Sequence, residues 1–190
     1  MNIFVLTGAG VSAESGLGTF RDKAGTGIWA RFDPMKLATP EAFAHDPVQV
    51  HEFYNMRRRN LLDAQPNAAH VALAKLEAGL AERGRDLFLC TQNIDDLHER
   101  AGSQRVTHMH GELLKARCIG CEAVTSWRED LSVDDQCPAC ERSGVLRAAG
   151  ISTCEINLEP SDNARLFDDA RYGPGTEVVP AWVEAVLTST

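Results

Sequence analysis

Basic charge is in short supply. Nineteen Lys and Arg stand against 27 Asp and Glu, a formal net charge of −8. That argues against nucleic acid or an anionic membrane as the main partner and suits a basic one, such as a lysine-rich tail. Long apolar runs are missing too, and no stretch approaches the ~18 residues of a membrane span. The N-terminus has no basic leader, and its apolar run, Ile3 to Leu6, is only four residues long. It reads as a strand and not as a signal peptide, which makes the cytoplasm the expected compartment. Repeats and low-complexity tracts are absent. A chain of 190 residues holds one full core and a small appendage, not two large domains.

Among what is present, the cysteines carry the most specific signal. Four of the six form Cys118-x2-Cys121 and Cys137-x2-Cys140, fifteen residues apart. This spacing fits a closed four-thiolate zinc ribbon, so the metal should hold a small module together and perform no chemistry. Cys90 and Cys154 lie in apolar, strand-like runs. A metal site in a reducing compartment explains the set better than disulfides do.

After the first strand come Gly8, Gly10 and Ala13 in G-x-G-x-x-A, with Ser12, Glu14 and Ser15 placed to open a helix. Glycine allows the tight turn and a close approach to a pyrophosphate, with helix N–H groups aimed at its charge. A tight strand-to-helix turn without a ligand is the bland alternative. The continuation is not that of a dehydrogenase: Gly16, Gly18, Phe20, Arg21, Gly25 and Gly27 make a glycine-rich loop that resembles a lid.

Further along, Thr39-Pro40-Glu41 reads as a helix start. A helical pattern runs from Glu41 to Leu62 with a break at Asp46-Pro47. Tyr54 and Arg57 share a helix face. The Arg57–Arg59 run is either a solvated face or, with Tyr54, a hydroxyl-plus-guanidinium clamp for a carboxylate. Pro66 to His70 opens another helix with Leu73, Leu76 and Leu80 as its apolar stripe, and His70 reads as structural.

Asp86–Thr91 and Ile151–Leu158 read, like Ile3–Leu6, as buried strands. Gln92, Asn93 and Asp95 follow the first of these and Asn157 to Ser161 end the second, where open α/β sheets place ligand contacts. A helix cap by Asn93 or Asp95 is the alternative. His108 and His110 sit two apart at the end of a short strand over Arg105–Met109, so they point the same way. A closing helix is expected after Pro180, with Val183, Val186 and Leu187 as its apolar face.

Taken together, GAGVSAESGLGTFR, TQNIDDLHERAG, HMHGEL, the paired C-x2-C and EINLEPS resemble the sirtuins, and among them the short bacterial type. The resemblance implies an α/β fold, a Rossmann-like doubly wound parallel sheet with a small inserted zinc-ribbon module. It places an NAD-binding domain over 1–110 and 145–190, the zinc module over 111–144, and a helical segment carrying the acyl pocket over 41–82.

It also implies an NAD-dependent protein-lysine deacylase that releases nicotinamide and O-acyl-ADP-ribose. By resemblance, Gly8, Ala9, Gly10 and Ser12 cradle the NAD diphosphate, and Phe20 and Arg21 cover the nicotinamide ribose. Gln92, Asn93, Ile94 and Asp95 hold that ribose and the carboxamide. Asn157, Leu158, Glu159 and Gly175 take the adenosine end. His110 is the general base, and Cys118, Cys121, Cys137 and Cys140 bind one structural zinc. Tyr54 and Arg57 match the family's acyl-pocket pair, which implies acceptance of succinyl- or malonyl-lysine beside acetyl-lysine. Acyl-lysine proteins are the implied partners, with no nucleic acid and no membrane.

One departure is large. Between Arg147 and Ala148 roughly 45 residues of the family pattern are absent, including strands that a doubly wound sheet uses to close its nucleotide crevice. Their absence predicts exposed apolar faces on the flanking elements. Two rival readings use the same residues: a non-catalytic NAD- and zinc-binding remnant, and a mono-ADP-ribosyltransferase, which would leave labelled protein in place of O-acyl-ADP-ribose.

Overall fold

The computed structural model describes residues 3–18, 37, 39–149, 154–157, 169–174, 176–178 and 180–181. The chain forms two compact units, Met1–Gly150 and Ile151–Thr190, and the division falls three residues beyond Arg147, beside the break in the family pattern.

The first unit is built on strands β1 (Ile3–Thr7), β2 (Leu87–Thr91) and β3 (Val106–His108), parallel and in the spatial order β1-β2-β3. Helix α1 (Ala9–Ala13) leaves β1 directly. Among the described residues three more helices precede β2: α2 (Pro40–His45), α3 (Pro47–Asp63) and α4 (Ala68–Ala81). A short α5 (Leu97–Arg100) connects β2 to β3.

Local chemistry sets these boundaries. Thr39 caps α2 by accepting from the Ala42 N–H, with Pro40 at the first helical position. Asp46 ends α2 and caps α3 through Gln49, with Pro47 next, so the break expected at Asp46-Pro47 is one residue wide. Asn67 caps α4 reciprocally with His70: the Asn67 side chain accepts from the helix and its N–H donates to His70 Nδ1. His70 is fully buried and serves as structure, as the sequence suggests.

The inner face of the sheet presents Ile3, Val5, Leu87, Leu89 and Val106 to Leu73, Leu76 and Leu80 of α4. The outer face corrects the reading of β1 and β2 as strands buried on both sides. Phe4 is 62% exposed, Leu6 53% and Phe88 53%, and the two phenyl rings stack at 5.5 Å. No described helix covers them. Such strands normally lie between two helical layers, so this bare face is what the missing stretch predicts.

A second sheet, antiparallel, holds the cysteine module: β4 (Glu112–Cys118) lies between β5 (Val124–Ser126) and β6 (Leu146–Ala149). Its core is Ala116, Cys118, Leu131, Cys137 and Leu146. In the second unit, β7 (Cys154–Asn157) pairs in parallel with β8 (Asp169–Tyr172), a partner the sequence did not suggest. Residues 176–178 are helical, while Val183, Val186 and Leu187 lie outside the described residues. No helix among the described residues is long and apolar enough to cross a membrane.

Candidate functional site

The turn after β1 and the loop after β2 bring together Gly8, Ala9, Gly10 and Ser12 with Gln92, Asn93, Ile94 and Asp95. The Gln92 N–H donates to Thr7 O at 2.9 Å, which lays the 92–95 loop beside the glycine turn. At Gly8 a Cβ would stand 3.3 Å from Gln92 Oε1, so a larger residue there would press on the Gln92 side chain. At Gly10 a Cβ would meet nothing within 4 Å, so the turn has open space on that side. Helix α1 receives no side-chain cap, and its first N–H groups suit an anion.

Ser12 is the hub of the polar network. Its hydroxyl donates to Asp95 Oδ2 at 3.0 Å and accepts from Asn93 Nδ2 at 3.0 Å. His70 Nε2 lies 3.4 Å away. Because His70 Nδ1 accepts from Asn67, Nε2 carries the ring proton and donates to Ser12. All three hydrogen-bonding positions of the serine hydroxyl are then used. Asn93 spends its second amide hydrogen on Gly8 O at 3.1 Å. Asp95 Oδ1 accepts from the Leu97 N–H at 3.2 Å. Asp95 thus spends one oxygen on Ser12 and the other on the N–H that opens α5, while Asp96, at the cap position itself, makes no side-chain cap bond.

Two histidines reach the same loop from β3 and the turn after it. His110 Nδ1 bonds Gln92 O at 2.8 Å. A carbonyl only accepts, so Nδ1 is the donor of this bond and Nε2 is the ring nitrogen left to face outward. His108 Nδ1 bonds Asn93 O at 3.1 Å, and its Nε2 bonds Glu99 Oε1 at 2.7 Å. With two acceptors, His108 is an imidazolium. Burial pushes its pKa down, but Glu99, the Asn93 carbonyl and Glu112 outweigh this and hold it above the usual histidine value. Burial likewise pushes Glu99 up, while the bond to His108 brings it net below the ordinary glutamate range.

This pair predicts a pH profile. The raised His108 contributes stability that is complete below the ordinary histidine pKa and is lost as pH rises through its folded value. The depressed Glu99 contributes stability present above the ordinary glutamate pKa and lost as pH falls through its own. Thermal unfolding followed from pH 6 to 9 should show a falling midpoint in the native chain and a flatter profile in Glu99→Gln. Equal slopes would remove the pair from the account.

The Arg57–Arg59 run separates into three fates. Arg57 lines a cleft with Ala9, Ser12, Leu17, Asn93 and Asp95, and its guanidinium lies 5.6 Å from the centroid of the Phe53 ring. Burial lowers its pKa, opposed by Tyr54 and Asp95; burial raises that of Tyr54, opposed by Arg57. Arg58 is 1% exposed and faces inward. Arg59 pairs with Asp130 at 2.6 Å on the surface. The solvated-face reading thus holds for Arg59 alone.

The four cysteine sulfurs lie within 4.8 Å of one another. Cys118 and Cys140 are 3.7 Å apart, as are Cys121 and Cys137. Thiolates at ~2.3 Å from zinc in tetrahedral geometry stand about 3.8 Å apart, so the donor set fits the metal. Both knuckles share one backbone: the N–H of Glu122 bonds Cys118 O, and that of Glu141 bonds Cys137 O, each at 2.8 Å. Glu122 and Glu141 take left-handed φ values of 61° and 59°, which no glycine in the sequence had marked.

The remaining expected residues are not gathered here. Phe20, Arg21, Leu158, Glu159 and Gly175 lie outside the described residues, and Asn157 is described only as the last residue of β7. Sequence reasoning missed Glu99 and Asn67 as supports of the site, since their partners His108 and Ser15 are distant in the chain and only the fold brings them near.

Comparison with known proteins agrees with this geometry. The family profile described as the Sir2 family matches residues 8–155. An NAD-dependent protein deacylase of Caulobacter vibrioides is 51% identical over 98% of this chain and 97% of the relative. One of Leishmania major is 42% identical over 97% and 95%. The Caulobacter alignment runs over 233 residues, so more than forty positions of that relative have no counterpart among the 190 residues here. Among solved structures, a mutant Sir2 homologue in complex with ADP-ribose is 32% identical, with a TM-score of 0.66 over 98% of this chain and 92% of that one. A Sir2 homologue in complex with NAD, also 32% identical, gives 0.64 over 98% and 90%.

Proposed function

This chain belongs to the Sir2 family, and from that premise we propose that it is an NAD-dependent protein-lysine deacylase with one structural zinc. The observation that carries the reading is a single cleft lined by the phosphate turn, by Asn93, Ile94 and Asp95, and by Arg57. The relatives' names and the NAD and ADP-ribose complexes of similar structures support the same reading.

NAD supplies the electrophilic ribose carbon: nicotinamide leaves, and the acyl group departs on ADP-ribose. Gly8, Ala9 and Gly10 offer backbone to the diphosphate, helped by the uncapped start of α1. The Ser12 hydroxyl is fully engaged, so it acts by fixing Asn93 and Asp95 against the ribose. Gln92 and Ile94 complete that wall. His110 takes a ribose hydroxyl proton at Nε2, because Nδ1 is held by Gln92 O. The family resemblance assigns Phe20 and Arg21 to the nicotinamide ribose and Asn157, Leu158, Glu159 and Gly175 to the adenosine end. Residues 111–144 form the zinc module. Acyl-lysine proteins are the substrates, in the cytoplasm.

Tyr54 and Arg57 read the acyl chain. A guanidinium bond to a carboxylate contributes about 1.5–3 kcal/mol, so Arg57→Met should cut the ratio of desuccinylation to deacetylation kcat/KM by roughly 10- to 100-fold. Progress curves with matched succinyl- and acetyl-lysine peptides measure it. An unchanged ratio removes Arg57 from the acyl pocket.

A further inference from the structure

Helix α3 has a second polar face that the reaction does not use. Asn55 and Arg58 are 8% and 1% exposed, and their hydrogen bonds go to the backbone of Leu131 and Leu113 and to each other. The Asn55 amide makes both bonds of a backbone-like pair with Leu131: its Nδ2 donates to Leu131 O at 2.9 Å, and its Oδ1 accepts from Leu131 N at 2.8 Å. The same Oδ1 accepts from Arg58 Nη1 at 2.6 Å. Leu131 belongs to the small core that contains Cys118 and Cys137. The module that the metal organises is therefore latched to α3 at its core by Asn55, beside the surface ion pair of Arg59 with Asp130.

Arg58 extends the latch toward the cofactor side. Its Nε donates to Leu113 O at 3.2 Å, and the Leu113 N–H donates to Ile94 O at 2.7 Å. Leu113 itself lines the cleft. Among the described residues no carboxylate bonds Arg58, on which Asp130 acts only through its charge, and its Nη2 is buried without a hydrogen-bond partner. A buried guanidinium so placed costs stability, and only its geometric work on Leu113 and Asn55 is visible on the other side. Tyr54 and Arg57 are each one residue from this latch and turn about 100° from it, since successive helical positions rotate by that angle.

We propose that Asn55 and Arg58 are positioning residues through which the zinc module sets the acyl pocket, so that preference for a carboxylate-bearing acyl chain depends on Leu131 staying docked against α3. The inference rests on Tyr54 and Arg57 reading the acyl chain. A slip of α3 by a fraction of an ångström moves the clamp relative to Asp95 and Asn93, and a charged acyl end feels this more than an acetyl methyl. Bidentate recognition is direction-dependent, and contact with a methyl group is not.

The test uses the zinc-loaded full chain with NAD, comparing kcat/KM for succinyl- and acetyl-lysine peptides. Asn55→Ala removes both Leu131 bonds and should lower the succinyl-over-acetyl ratio about tenfold, through KM for the succinyl peptide. Asn55→Asp keeps the acceptor for Leu131 N–H and Arg58 but loses the donor, and should lower the ratio about threefold. Zinc content and the unfolding midpoint are read beside each. Arg57→Met serves as the control. If it loses the preference while folded Asn55→Ala keeps it, the latch is wrong and the clamp stands. If Asn55→Ala does not fold, Asn55→Asp decides in the same way. If the native chain shows no preference, or Arg57→Met retains one, the clamp itself fails and the latch falls with it.

Discussion

Stripping the metal from Cys118, Cys121, Cys137 and Cys140 is expected to unfold the module cooperatively, and this should be among the largest effects available in the molecule. The reason is the size of the core. Of its five buried members, two are ligands, which leaves Ala116, Leu131 and Leu146 with Trp127 and Val145 at the margin. Burying two leucines contributes roughly 3–6 kcal/mol. Binding of a structural zinc supplies on the order of 10–16 kcal/mol in small modules. The metal therefore decides whether this sheet exists. The left-handed Glu122 and Glu141 add strain that only the closed knuckles offset. Chelation titrated against Trp127 emission and far-UV circular dichroism measures the outcome. Stoichiometric zinc release with an unchanged cooperative transition would overturn the structural role. Cys137→Ser should behave as a partial chelation.

The second large effect belongs to His110. Substitution by Ala should lower kcat for deacylation by about 10²- to 10⁴-fold, the usual contribution of a positioned base. A more pointed variant is His110→Asn. Its amide nitrogen can still donate to Gln92 O, where His110 Nδ1 donates now at 2.8 Å, but nothing remains at the place of Nε2. If His110 is the base, both variants lose comparable activity. If it only anchors the 92–95 loop, His110→Asn stays near the native rate. Single-turnover measurement with saturating NAD separates this chemistry from product release.

Much of the site was legible because its chemistry is carried by short runs at element ends. The two knuckles have a pattern with one physical use, and the glycine turn after β1 and the polar loop after β2 each have only two. The three-arginine run was not legible to the same depth. Periodicity puts Arg57, Arg58 and Arg59 on successive faces, but only the fold shows that one meets the cleft, one is buried under Leu113 and one meets Asp130. Glu99 could not be found either, since its role exists only because β3 brings His108 beside α5. The strands were misread in one respect. Apolar runs such as IFVLT and DLFLC predict burial on both faces, whereas Phe4, Leu6 and Phe88 stand open in a chain that lacks more than forty positions of its relative. A strand's composition reflects the fold it comes from, and its exposure here reflects what this chain retains.

The most direct test of the central claim is incubation of the zinc-loaded chain with NAD and a succinyl-lysine peptide, with nicotinamide and the acylated ADP-ribose product followed together by mass spectrometry. The account predicts equal amounts of free nicotinamide, O-succinyl-ADP-ribose and desuccinylated peptide, none of which forms without NAD. Absence of all three would contradict it and leave a binding remnant. Nicotinamide release with ADP-ribose found on protein would contradict it in favour of ADP-ribosyl transfer.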